Sequence, residues 1–224
     1  FPYTTLFRST CMDTIKSKYH ETLAATVIKN LEKRQMEGYY CPTVEDAEKL
    51  AFSFLKDGQT VSFGGSMTLE ETGMLTALRH DPSIHLIDRS TAKTPDETKK
   101  MYHDALSSDV YFMSTNAITT GGELVNIDGT GNRVAALIYG PETVVILAGM
   151  NKIAANVDEA LSRVHNVATA QNCIRLDKKT PCAITGACAD CLSPDCICNQ
   201  VVITRRSGIK GRIKVLLIGE SFGY

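Results

Sequence analysis

A chain of 224 residues can bury one substantial core, and one domain with a short appendage is the expectation at that length. Its 24 Lys and Arg nearly balance 25 Asp and Glu, so no strong field gathers nucleic acid or an anionic membrane, and the expected partner is a small molecule or a protein. No apolar run approaches the roughly 20 residues of a spanning helix, which excludes a membrane-embedded protein, and without an export signal the expected compartment is the cytoplasm.

Residues 1–11 are set apart first. Phe1 to Ser9 match a translated short-read sequencing adapter and are expected to be an artefact, with Met12 the natural start and residues 12–224 one domain. From Asp13 to Glu37, Ile15, Tyr19, Leu23, Val27 and Leu31 recur every fourth position before Gly38, which predicts an amphipathic helix. A second helix starts at a capping Thr43 and runs toward Gly58, followed by a strand over Gln59 to Phe63. A helix over Leu69 to His80, a strand over Ile84 to Ile87, and a helix opened by Thr94-Pro95-Asp96-Glu97 come next. Strands over Val110 to Ser114 and Thr143 to Ala148, a helix over Asn156 to Val167, and late strands over Val201 to Thr204 and Ile213 to Ile218 complete the pattern. Strands alternating with helices predict an α/β fold: a mostly parallel sheet with helices on both faces, and ligands at the carboxyl ends of the strands.

Two glycine-bearing loops are the candidate ligand site. In the first, Gly64 and Gly65 let the backbone turn closely past a ligand while Ser66 and Thr68 supply hydroxyls at a helix start. The plainer reading is a capping box of Thr68 and Glu71. The second loop carries Asn116, Glu123, Asn126, Asp128, Gly129, Thr130, Gly131 and Arg133, too many polar and glycine residues for a simple connection. Arg133 offers a fork for a carboxylate or phosphate, whereas the plainer reading is a hairpin turning at Asp128-Gly129 with a surface arginine. Lys152 opens the last αβ unit and is a further ligand-binding candidate.

The eight cysteines are unevenly spread. Cys11, Cys41 and Cys173 are scattered, while Cys182, Cys188, Cys191, Cys196 and Cys198 crowd a segment, residues 178–199, too poor in large apolar residues to order itself. Cys188-x-x-Cys191 suits two thiolates on one metal, and Cys182 and Cys198, chosen over Cys196, complete a four-sulfur set for zinc or an iron–sulfur cluster. Free thiols, or a redox pair of Cys188 and Cys191, are the alternatives. None of the five histidines has a partner at ligand spacing.

The runs Gly64 to Gly73, Gly122 to Arg133 and Ala148 to Ile153, in that order and spacing, resemble bacterial lactate-utilisation (LUD) domain proteins. The resemblance implies a NagB/RpiA/CoA-transferase-like fold, a small anionic metabolite as ligand, other lactate-utilisation proteins as partners, and a role in oxidation of lactate or a related 2-hydroxy acid. The stretch Thr180 to Asn199 resembles the C-terminal signature of a subgroup. A distant likeness to methylthioribose-phosphate-type isomerases lacks the acid expected near Asn116, leaving Glu123 as the candidate catalytic acid, base or nucleophile. Two alternatives to the oxidative role stand: a non-catalytic metabolite-binding subunit with a structural metal, and a CoA-transferase-like or isomerase-like enzyme working through Glu123.

Overall fold

A computed structural model describes residues 3–224, with side chains from Thr14 onward. Of the expected adapter-derived segment, Phe1 and Pro2 lie outside the described residues. The first helix, α1 (Tyr3–Lys33), buries Ala24, Val27 and Leu31 and leaves Ile15 and Tyr19 exposed, so among its described side chains it is the later turns that pack on the sheet. It ends at a left-handed Gln35 (φ 61°), with Met36 N–H closing on the Leu31 carbonyl. Gly38, expected as the stop, instead lies in strand β1 (Glu37–Cys41), where a Cβ would come within 3.0 Å of Ile28. It lets the strand run close against the helix.

After α2 (Val44–Phe52), capped by Thr43, come β2 (Thr60–Phe63), α3 (Met67–Glu71) and α4 (Met74–His80). The expected single helix over Leu69 to His80 is thus two, divided at Gly73, whose φ of 73° no continuous helix allows. Then follow β3 (His85–Ile87), α5 (Pro95–Leu106) with Thr94 accepting the Glu97 N–H, and β4 (Val110–Met113). Next are β5 (Ala117–Thr119), β6 (Leu124–Asp128), α6 (Asn132–Ile138), β7 (Thr143–Gly149) and β8 (Ile153–Ala154). A long helix follows as α7 (Val157–Arg163), a π-helical stretch over Val164–Thr169, and α8 (Ala170–Arg175). The chain closes with α9 (Pro181–Thr185), β9 (Gln200–Thr204) and β10 (Ile213–Ile218).

The main sheet has the order β1-β10-β7-β4-β2-β3, and every neighbouring pair is parallel. Along β7 the side chains divide between two cores. Val144, Ile146 and Ala148 join α1 and α6 on one face, and Val145 and Leu147 join α2, α3 and α4 on the other. A strand apolar on both faces can lie only between two helical layers, as predicted.

A second sheet, β8-β5-β6-β9, is not anticipated by the sequence reading, which gave β9 to a mostly parallel sheet. Here β9 pairs antiparallel with β6. The β5–β6 hairpin turns at Thr119 to Glu123, not at Asp128-Gly129. Gly122 (φ 86°) fixes that turn against α1, since a Cβ there would lie 2.8 Å from the Asn30 carbonyl carbon. The Asn30 side chain donates to the Thr120 carbonyl (2.9 Å), and Arg34 Nε donates to that of Gly121 (2.6 Å).

Candidate ligand-binding site

The segments after β2, β3, β4, β6 and β7 meet around a cavity of about 450 Å³, on the side of the main sheet where its parallel strands end. This is the edge at which open parallel sheets present backbone and side chains to ligands, because neighbouring connections diverge there. Of the residues expected from sequence, Gly65, Ser66, Thr68, Asn116, Asp128, Gly129, Thr130, Arg133 and Lys152 line it. The two glycine-bearing loops, distant in sequence, therefore share one chamber. Gly64, Asn126, Gly131 and Glu123 do not line it.

Glu123 requires correction. Its carboxylate accepts from the Arg34 guanidinium and from the Thr119 hydroxyl, against α1. The residue follows the hairpin turn, so the turn that reaches α1 carries Glu123 with it, away from the cavity. Gly64 and Asn126 stand behind the wall. A Cβ on Gly64 would lie 3.3 Å from the Arg133 stem, and the Asn126 Oδ1 accepts from Arg133 Nη1 at 2.5 Å.

Arg133 organises the second loop. It is buried at the start of α6, and its five N–H groups make five hydrogen bonds. Nε donates to Asp128 (2.9 Å), Nη1 to Asn126 and the Ser114 carbonyl (3.1 Å), and Nη2 to Asn116 (2.8 Å) and the Ile127 carbonyl (3.1 Å). The fork expected to bind a ligand is spent on protein acceptors. Arg163 on α7 adds a bond to the Asn116 carbonyl (2.8 Å), and burial lowers its pKa. Asn126 Nδ2 is a buried donor without a partner.

The first loop is also tied down. Ser66, not Thr68, caps α3, and buried Thr68 donates to the Phe222 carbonyl (3.3 Å). The Glu71 carboxylate accepts from the Gly223 N–H (2.6 Å) instead of closing a capping box. Gly65 is needed for space: the Arg89 guanidinium lies where its Cβ would stand. Arg89 also sits over the Tyr102 ring. Sequence reasoning missed both, although Arg89 follows β3 and a residue just past a parallel strand is the available signal.

Lys152 is the group in the cavity with fewest obligations. It is 4% exposed, and its ammonium nitrogen donates to Ser114 Oγ at 3.2 Å. Burial, followed by the charges of Arg163 and Arg133, brings its pKa down to about 7, with Glu71 opposing. Arg175 on α8 and Arg89 add further positive charge, and neither forms an ion pair among the described residues. Asp128 is engaged by Arg133, and Asp195 by Lys178 at 4.0 Å. The chamber therefore holds an excess of cations, which suits an anion.

Pro194 to Ile197 and Asn199, from the cysteine-rich segment, form one wall. The Asn199 side chain donates to the Gly129 carbonyl (2.9 Å), and a Cβ at Gly129 would stand 3.4 Å from Ile197. The cysteines fall into contacting groups. Buried Cys182 packs with Cys173, a residue the sequence reading left among the scattered cysteines. Cys188 Sγ lies 3.7 Å from His165 Nδ1, and Cys198 Sγ lies 3.6 Å from Thr169 Oγ1. His165 and Thr169 belong to the π-helical stretch, so that widened turn aims side chains at the thiols.

Burial pushes the Cys198 thiol up to about 11, with Cys196, Cys173 and Cys188 adding to the shift. Cys173 is raised first by burial and then by Cys182 and Cys196. Hydrogen bonds from Ser193 lower Cys191, which also bonds with Cys196. These sulfurs therefore form one linked neighbourhood. Among the described residues no three His, Cys, Asp or Glu side chains converge at metal-ligand geometry, and no helix is long and apolar enough to cross a membrane.

The sheet order and this chamber define an α/β domain with a cavity at the carboxyl edge of a parallel sheet. The LUD domain profile matches residues 24–218, and the chain belongs to that family, which is associated with lactate utilisation. No curated protein matches the sequence. A DUF162 family protein from Deinococcus radiodurans is structurally similar, with 10% identity, 89% of this chain and 96% of that chain covered, and a TM-score of 0.49. Partial overlaps include eIF2B delta from Chaetomium thermophilum (18% identity, 54% and 51% covered, TM-score 0.36). Ribose 5-phosphate isomerase A from Methanocaldococcus jannaschii is another (19% identity, 50% and 54% covered, TM-score 0.32).

Proposed function

We propose that the cavity binds a small anionic metabolite, in the oxidation of lactate or a related 2-hydroxy acid. The observation that supports it is the convergence of Arg89, Lys152 and Arg175 on one chamber whose acids are already engaged. The volume suits a compact metabolite. A transferase or isomerase route through Glu123 is not favoured, because that carboxylate is held by Arg34 outside the chamber. Titration calorimetry with L-lactate, pyruvate, ribose 5-phosphate and a CoA ester tests the reading. One class should bind, and Arg89→Gln and Arg175→Gln should each weaken it about tenfold, the loss of one charge-assisted hydrogen bond. No binding by any of the four, or binding indifferent to both variants, would overturn it.

The same reading gives the cysteine segment a thiophilic metal. Cys182, Cys188, Cys191 and Cys198 would hold it as zinc or an iron–sulfur cluster, with Cys173 and Cys196 in the same neighbourhood. The donor chemistry fits: Cys173 and Cys198, raised first by burial and further by neighbouring sulfurs, are thiols whose anionic form a cation would stabilise. Bound metal would order a segment short of apolar residues. Metal analysis after anaerobic purification decides it. Stoichiometric iron with a brown colour supports a cluster, colourless protein with zinc a structural role, and neither metal free thiols.

A further inference from the structure

We propose that Lys152 is a covalent site, its amine condensing with the carbonyl carbon of a small 2-oxo acid held in the cavity. The inference rests on the reading of that cavity as an anion site and goes further in naming the reacting atom.

The argument begins with what surrounds the nitrogen. Lys152 follows β7 at the sheet's carboxyl edge, is almost wholly buried, and lines the chamber. Among the described residues it has no ion-pair partner, and its hydrogen bond is to the Ser114 hydroxyl at 3.2 Å. A buried lysine that serves as a fixed positive charge is ordinarily held against a carboxylate. Here the facing charges are the guanidiniums of Arg163 on α7 and Arg133 on α6, with Glu71 of α3 the opposing acid, itself bonded to the Gly223 N–H. Burial next to two cations keeps a large share of the amine unprotonated near neutrality, the condition for a lysine nucleophile.

The chamber also supplies what the other end of such a ligand needs. Arg89 and Arg175 are available for a carboxylate, which would orient a neighbouring carbonyl toward the amine. The nitrogen lone pair forms the new C–N bond as the carbonyl π pair moves to oxygen. Ser114 is within reach to pass the nitrogen's surplus proton to that oxygen. Loss of one water from the resulting carbinolamine gives the C=N bond, and the step needs no oxidant or reductant.

The test uses the whole protein and pyruvate as the probe. Wild-type protein is incubated with pyruvate and cyanoborohydride, digested and mapped by mass spectrometry, alongside calorimetry of pyruvate binding. The reduced adduct is expected on Lys152 about a hundredfold faster than on the exposed Lys100 or Lys179, with a rate that rises through pH 7 and then levels. Lys152→Arg, which keeps the charge but has no condensing amine, should lose trapping. Pyruvate binding without an adduct at Lys152, or an adduct that tracks surface lysines in rate and pH, overturns the covalent role and leaves the anion site standing. Absence of pyruvate binding together with absence of trapping overturns this inference, and the anion reading then falls or stands on the other three probes. Because the wild-type map is decisive, the inference does not depend on the variant folding.

Discussion

Lys152 shows how one buried nitrogen makes a chain sensitive to pH. Its folded value, about 7, lies below the ordinary 10.5, so the unfolded chain binds a proton that the native chain has released between those two values. Stability from this group therefore rises with pH across that window, and its full cost is felt at and below pH 7. Lys152→Met should gain most over wild type in acid and lose that advantage as pH approaches 10, as read by urea denaturation at several pH values. A difference that ignores pH would show that the lysine is not buried as described. Glu123 behaves in the opposite sense to its sequence expectation. Glu123→Gln should lower stability by about 1–3 kcal/mol, since Arg34 loses its partner in a part-buried setting, while ligand affinity stays within about twofold. A large loss of affinity with normal stability would return Glu123 to the chamber.

Two glycines illustrate what elements demand of one another. Gly122 combines positive φ with a backbone neighbour on α1 that cannot yield, so Gly122→Ala should detach the hairpin and cost several kcal/mol. At Gly65 the obstacle is the end of a flexible side chain, and Gly65→Ala should leave the melting temperature nearly unchanged while displacing Arg89 and weakening ligand binding. Equal melting losses in the two variants would contradict this distinction. The main strands were legible because a parallel strand between helical layers is an apolar run on both faces, as in β7 and β10. The second sheet was not, because β5 and β8 span three and two residues, and β8 and β9 pair with strands far away in sequence. The site was half legible. Glycine-rich loops advertise close approach, and Lys152 stood out by position. Arg89 and Arg175 look like ordinary surface arginines until the fold brings them together, and the Arg133 fork looked free because its acceptors come from β6 and from the segment after β4.

At the scale of the molecule, the cysteine-rich segment and the chamber share a wall, because residues 194–197, between the expected metal ligands Cys191 and Cys198, and Asn199 just beyond them line the cavity. Whatever orders that stretch also shapes the chamber. With the proposed metal and anion bound, a strong chelator should lower both the melting temperature and the anion affinity, and the anion should in turn slow metal loss, since linkage is reciprocal. Chelation that strips metal yet leaves binding intact would separate the two sites.

The saturated guanidinium of Arg133 has one more implication. With no hydrogen left to point at a guest, it acts through its electric potential alone, and a potential draws carboxylate, phosphate or sulfate with little regard for shape. Discrimination among guests of equal charge then falls to whichever neighbours can still aim a donor, and a competitor of the right sign but the wrong outline should be admitted before it is refused.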